Sequence, residues 1–252
     1  MPPLLVVSLL TIAQALPTFE VASVKRGQAN SGVEGGCRGI DSRYAPNEAP
    51  SAPPLGRCVI HNGRLGHLLA IAYRLRSMAL VTGGPDWVKM GDDRFDIEAK
   101  ADDPAKATES QLLEMLQALL IERFEIKMRQ ETKDVPGFAL VVAKNGPKLQ
   151  AAKGQDVIAD FGPRGKAGPG PNTVVAHNFT MPKLADLLTM YGEPVIDHTG
   201  LAGSYDFTLS WDESAGPSLT TALREQLGLK FESQKVPVSF IVVESARKPA
   251  AN

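Results

Sequence analysis

The chain has 252 residues, 43% of them hydrophobic and 22% charged, with a formal net charge of -1 and an isoelectric point near 6.4. This is the balance of a globular protein able to bury a core. It offers no basic excess for nucleic acid or an anionic membrane surface, so nucleic-acid binding is set aside.

The run Leu4 to Ala13 is apolar apart from Ser8 and Thr11 and is too short to span a bilayer. It ends in Ala13-Gln14-Ala15, a small-x-small pattern, and residues 1–15 read as a secretory signal. The competing reading, a buried N-terminal strand or a mis-assigned start, rests on the missing Lys or Arg before the apolar run. No later segment has the length and apolar character of a transmembrane helix. Phe19 to Val24 alternates as a first strand, and Gly27 to Arg57, crowded with Gly, Pro, Ser and Asn, reads as a long loop. Cys37 and Cys58 bracket much of that loop. In an oxidising compartment a disulfide between them is the default, closing a loop worth about 3 kcal/mol, whereas a reducing cell would leave two thiols.

Next, Leu65, Leu68, Leu69 and Ala72 recur at helical spacing and mark one apolar face. Gly83-Gly84-Pro85-Asp86-Trp87 reads as a helix-to-strand connection whose glycines supply positive φ. Its Trp87 either closes the core edge or contacts a ligand. Phe95 to Lys100 alternates as a half-buried strand, and Leu112, Leu116, Leu119 and Leu120 mark a second helix that runs into a strand at Phe124 to Met128. Proline cannot donate to a ladder, so Val135-Pro136 is expected at a turn, with a hairpin closed by the strand ending at Val142. Gly162 to Pro171 is dense in helix and strand breakers, and residues 151–172 are assigned to a linker.

From Thr173 to Val243 the same order returns. Leu184, Leu187, Leu188 and Tyr191 mark a helix face, Pro194-Val195-Ile196 a strand, and Gly200 to Gly203 a turn. Tyr205 to Trp211 then alternates, Leu219, Ala222, Leu223 and Leu227 mark a helix, and Leu229 to Glu232 and Val236-Pro237 to Val243 complete a second hairpin. Asp follows an aromatic residue in both alternating strands, at Asp96 and Asp206. Self-similarity of this kind points to architecture before chemistry. The expected fold is α+β: two similar units, each with two helices packed on a small mixed or antiparallel sheet. Residues 16–150 form the first unit, with its N-terminal strand and Cys-containing loop, and residues 173–252 form the second.

Chemistry is harder to find. His61-Asn62 and His177-Asn178 occupy equivalent places before the first helix of each unit and read as local caps, with Thr180 and Pro182 assisting in the second. His67 falls on the polar side of its helix and is expected to be solvated. Asp197-His198 resembles half of a catalytic pair, but no Ser or Cys stands in a nucleophile-elbow context, and adjacent residues rarely face one another. Asp92-Asp93 and Asp102-Asp103 lack the alternate spacing of a calcium loop, and the cysteines lack zinc-ligand partners beyond His61. No catalytic, metal or cofactor residue is therefore assigned. The candidate ligand contacts are Trp87 and His198.

Phe19-Glu20-Val21-Ala22-Ser23-Val24-Lys25, Gly83-Gly84-Pro85-Asp86-Trp87, Arg94 to Lys100, Leu116 to Phe124, Asp197-His198-Thr199-Gly200-Leu201, Gly203 to Leu209 and Ala222 to Lys230 together resemble the soil-associated family of uncharacterised secreted bacterial proteins. Related domains there occur attached to membrane metallopeptidases of the β-lactam-sensor kind, which implies a sensing or ligand-receiving role. This chain carries neither a peptidase motif nor a membrane span. A weaker resemblance, best over Phe179 to Val243, is to the short N-terminal domains of secretins and TonB-dependent receptors, which act by protein contacts in the periplasm.

The expected function is an exported, non-enzymatic binding or protein-interaction module in envelope sensing or transport, periplasmic or secreted. Its partner would be an envelope protein or a small ligand. The alternative is a hydrolase acting on an envelope polymer through Asp197, His198 or the His61 and His177 pair, which would require those side chains to share one pocket. A third reading is an adaptor that pairs a partner strand with an uncovered sheet edge at Val238 to Val243 or Phe138 to Val142.

Overall fold

The computed structural model describes residues 17–28, 32–42, 52–154, 158–161 and 172–249. The signal segment and the Gly/Pro stretch 162–171 lie outside the described residues. In chain order the elements are β1 (Val21–Arg26), β2 (Glu34–Arg38), β3 (Arg57–Gly63), α1 (Leu65–Ala72), β4 (Val81–Gly83), β5 (Phe95–Lys100), α2 (Glu109–Arg123) and β6 (Lys127–Val142). There follow β7 (Gln150–Ala151), β8 (Ile158–Phe161), β9 (Asn172–Thr180), α3 (Met181–Thr189), β10 (Val195–Asp197), β11 (Ser204–Trp211), α4 (Leu219–Ala222) and β12 (Leu229–Ser245). Helices and strands are thus mixed, with strands predominating.

The described strands form three four-stranded sheets. The first, in order β1-β5-β3-β2, is antiparallel throughout. Its central strand β5 obeys the period-two rule: Phe95, Ile97 and Ala99 are buried while Asp96, Glu98 and Lys100 turn outward. Over the inner face lie α1 and α2. The N-terminus of α2 is fixed by a capping box in which Thr108 Oγ1 accepts the Gln111 amide (3.3 Å) and Gln111 Oε1 accepts the Thr108 amide (3.0 Å). The stretch expected as a loop between Gly27 and Arg57 contributes β2, whose Cys37 pairs with Cys58 of β3 and is disulfide-bonded to it. β2 reads Glu-Gly-Gly-Cys-Arg, so it has no alternation to detect. Gly35 sits at φ +92°, where an added Cβ would run into the Val59 carbonyl.

The third sheet has the order β7-β11-β9-β8 and carries α3 and α4. Both β7 and β8 flank or lie within the stretch expected as linker, and β8 pairs with β9 from Ile158 to Phe161. Thr180 caps α3 through the Lys183 amide (3.5 Å), with Pro182 in the first turn, as expected. The helix ends at Thr189. Tyr191 therefore lies beyond the face expected for it and packs edge-on against Trp211, ring centroids 4.7 Å apart. α4 continues as a single π turn over Leu223–Leu227 and stops at Gly228, φ +66°.

The central sheet, β10-β6-β12-β4, corrects the expected hairpins. β6 and β12 run straight through Pro136 and Pro237 and pair antiparallel with one another from Leu229↔Val142 to Ser245↔Lys127. Val135 lies opposite Val236, its counterpart in the other Val-Pro pair. Proline is tolerated because β10 and β4 flank the ribbon only near its ends, so the outer side of each Pro has no neighbouring strand in the described residues. β10 pairs parallel with β6 at Phe138–Leu140, and β4 pairs parallel with β12 at Ile241–Val243.

Two hydrophobic clusters result. One gathers α1, α2 and the first sheet around Phe124, Leu116 and Ile97, and includes Val81, Ile241 and Val243 from the central sheet. The other gathers α3, α4 and the third sheet around Leu184, Leu209 and Trp211, and includes Leu140, Val195 and Leu229. Each core thus contains residues from both halves of the chain, and the ribbon joins them.

Candidate functional site

The ribbon separates the two expected ligand contacts. Gly83, which leads into the Trp87 turn, pairs with Val243, whereas Asp197, before His198, pairs with Leu140 and so lies level with Phe231. Twelve residues of extended β12 separate those levels, about 40 Å. Trp87 is half-buried at the core edge, its ring 6.2 Å from Phe95 and 6.4 Å from Phe124, with Lys248 Nζ 5.7 Å above it. Lys248 also pairs with Asp93 Oδ2 at 2.9 Å, and Asp93 Oδ1 accepts from Arg26 at 3.3 Å. Asp93 is therefore an ion-paired anchor, not the solvated turn residue expected. His198 is exposed; its amide donates to Leu140 O (2.9 Å), while Asp197 Oδ1 accepts from the Thr199 amide (2.9 Å). Asp197 holds a turn and does not orient His198.

The other histidines occupy two further places. Asn62 (φ +59°) and Asn178 (φ +52°) are both left-handed, a conformation that Asn tolerates better than most residues. The Asn62 amide donates to Asp96 Oδ1 at 2.7 Å and the Asn178 amide to Asp206 Oδ1 at 2.9 Å. His61 and His177 face those same carboxylates at 4.0 and 3.8 Å. Asn62 thus shapes an irregular strand end where a helix cap was expected, and its side-chain amide reaches Gly32 O. The signal in the sequence was the Asp after the aromatic residue in each alternating strand: it pins the turn.

The Asn178 amide, joined by the Lys153 amide and the nearby His177 and Lys153 charges and opposed by partial burial, holds Asp206 below the usual carboxylate range. A lowered folded-state value contributes stability that is present above the unfolded value and lost as pH falls through the folded one. Asp206→Asn is expected to flatten the acid limb of the stability profile below about pH 4, read from urea midpoints across that range. An unchanged limb would show that the amides gain nothing from the charge.

His67 departs from expectation: it is half-buried, and its Nδ1 accepts the Arg64 amide at 3.3 Å. Burial first, then the charges of Arg64 and Arg94, hold its imidazole below the ordinary value.

The feature missed by sequence reasoning is the ribbon itself. The two stretches expected as free edges are partly covered: β10 takes Phe138–Leu140 and β4 takes Ile241–Val243. Uncovered instead, among the described residues, are the outer sides of β6 from Lys127 to Val135 and of β12 from Lys230 to Phe240. Across the face of the ribbon, over the paired residues Pro136–Phe138 and Ser233–Lys235 and reaching Glu193 before β10, lies an open depression of about 430 Å³. Gly137 is required there, since a Cβ would collide with the Pro194 carbonyl where β10 joins β6. The charges along one face are matched locally: Arg129 with Glu131 and Glu244, Lys133 with Glu131, and Lys230 with Glu232. A detectable signal was the lack of any Gly or Asn-Gly turn between Met128 and Val135.

Among the described residues no cluster of His, Cys, Asp and Glu is arranged to hold a metal, and no helix is long and apolar enough to cross a membrane. Fold and site together define a mixed α/β protein in which a long two-stranded ribbon bridges two cores and leaves main-chain edges open. Residues 66–246 match the family described as Protein of unknown function (DUF3738), and the chain belongs to that family. No curated protein and no solved structure gives a significant match.

Proposed function

We propose that the protein is an exported, non-enzymatic interaction module that receives an extended segment of an envelope protein along the open edge of β12. The observation that carries this reading is the edge from Lys230 to Phe240, which among the described residues is paired on one side only, next to a depression that crosses the ribbon face at Ser233, Gln234 and Lys235. Main-chain pairing supplies affinity in such strand addition, and a neighbouring pocket that takes alternate side chains supplies specificity. The disulfide, the signal-like N-terminus and the resemblance to secreted soil-associated proteins and to periplasmic secretin and receptor domains support the exported setting. The hydrolase alternative would need its side chains in one pocket, whereas His61 lies at Asp96 of the first sheet, His177 at Asp206 of the third and Asp197 on β10 of the central sheet.

We read the two halves as a duplicated α+β unit whose terminal strands, β6 and β12, pair about Val135 and Val236. The equivalent left-handed Asn62 and Asn178, each held by an Asp, support that reading. Duplication would create the binding element directly, since the ribbon exists only where the two units meet.

A photo-reactive phenylalanine derivative placed at Ser233 is expected to capture one dominant envelope protein in cells. The same group at exposed Lys183 on α3 should capture none of it. Equal capture at both positions, or none at Ser233 with the protein intact, would sink the strand-addition reading.

A further inference from the structure

Two guanidinium groups meet at one backbone carbonyl with no carboxylate at ion-pair distance among the described residues. Arg94 is only 9% exposed; its Nη1 donates to Gly91 O at 2.8 Å and to Asp93 O at 3.2 Å. Arg64 Nε reaches the same Gly91 oxygen at 3.3 Å. Among the described residues neither arginine has a carboxylate at ion-pair distance. Asp93, beside Arg94 in sequence, is occupied through both oxygens by Arg26 and Lys248. A buried guanidinium held only by neutral carbonyls keeps its charge uncompensated, which is costly in a protein interior.

The surroundings are mixed in charge: exposed Asp92 follows Gly91, while Asp93 is drawn to Arg26 and Lys248. Arg64 immediately precedes α1, whose first turn presents the positive end of the helix dipole. His67, in that turn, contributes an imidazole rather than an acid. Gly91 is exposed, and nothing lies within 4 Å of the position a Cβ would take, so the loop carrying the shared carbonyl borders open space. We propose that Arg64 and Arg94 form a binding site for an oxyanion group, the phosphate or carboxylate of a small ligand or partner, at the Gly91 loop. Planar guanidinium forks match either group through paired N–H donors. The site lies apart from the open ribbon edge, and its test is independent of strand addition.

The test follows the Arg64 and Arg94 Nε–Hε resonances of the full chain as sodium phosphate, sodium acetate or sodium chloride is added at constant ionic strength. The expected result is a saturable shift at both arginines with phosphate or acetate and none with chloride. Saturation by phosphate alone assigns a phosphate group, and comparable saturation by acetate assigns a carboxylate. Arg64→Gln should weaken the response by about tenfold or more, and Arg224→Gln, an exposed change on the other half, should leave it unaltered. Because Arg94 braces its loop and its variants can unfold, half-buried Arg64 is the decisive position. Shifts that never saturate, that chloride reproduces, or that survive Arg64→Gln unchanged would overturn the proposal.

Discussion

Phe124→Ala is expected to lower stability by about 3–5 kcal/mol, a large share of the margin of a typical domain. Phe124 is fully buried at the end of α2, with its ring edge-on to Phe95 at 4.8 Å and stacked near Trp87 at 6.4 Å. Truncation removes the apolar area and also leaves a cavity under three elements that cannot collapse independently. The Phe95 ring is fixed by β5 pairing with β1 and β3, and the Phe124 carbonyl accepts the Arg247 amide at 2.7 Å, which ties the chain after β12 to the same spot. Trp87 would lose its stacking partner, so near-ultraviolet circular dichroism should weaken together with the denaturation midpoint. A loss below about 1 kcal/mol would mean that the cluster refills the space, which a close-packed core does not do.

Local periodicity made much of this fold legible. Phe95, Ile97 and Ala99 alternate inward, and Leu112, Leu116, Leu119 and Leu120 bury one face of α2, because each pattern depends on neighbours within a few residues. The pairings of β4 and β10 were not legible, since each is only three residues long and finds its partner far along the chain. Thr82 Oγ1 reaches Ile241 O across 159 positions. Pro136 and Pro237 misled for a related reason. A proline excludes a central ladder position, yet whether a strand is central at that point depends on where β4 and β10 stop. The candidate sites were legible only as chemistry: Trp87 and His198 stood out singly, while the meeting of Arg64 and Arg94 depends on a loop turn at Gly91. That geometry leaves no spacing signature.

Replacing Cys37 and Cys58 together by serine is expected to cost about 3 kcal/mol, the loop-closure value for the 21-residue separation that the bridge spans. Both sulfurs are buried, Cys58 completely, and the bridge links directly opposed residues of β2 and β3. Beyond its ladder with β3, β2 is weakly secured: two of its five residues are glycine, and it stands at the edge of its sheet. Just beyond it, the Ile40 amide donates to Ala107 O (2.9 Å), Asp41 Oδ1 accepts the Glu109 amide (2.7 Å) and Ser42 Oγ donates to Glu109 Oε2 (2.8 Å). Loss of the bridge should therefore raise hydrogen exchange first in Glu34–Arg38 and then at the start of α2, ahead of the remaining core. The same experiment bears on the compartment. If folding depends on the bridge, protein made in a reducing cytosol should show two titratable thiols and this local loosening, and protein recovered after export should show neither. A double variant as stable as the parent would mean that strand pairing alone secures β2, and the disulfide would then lend no structural weight to export.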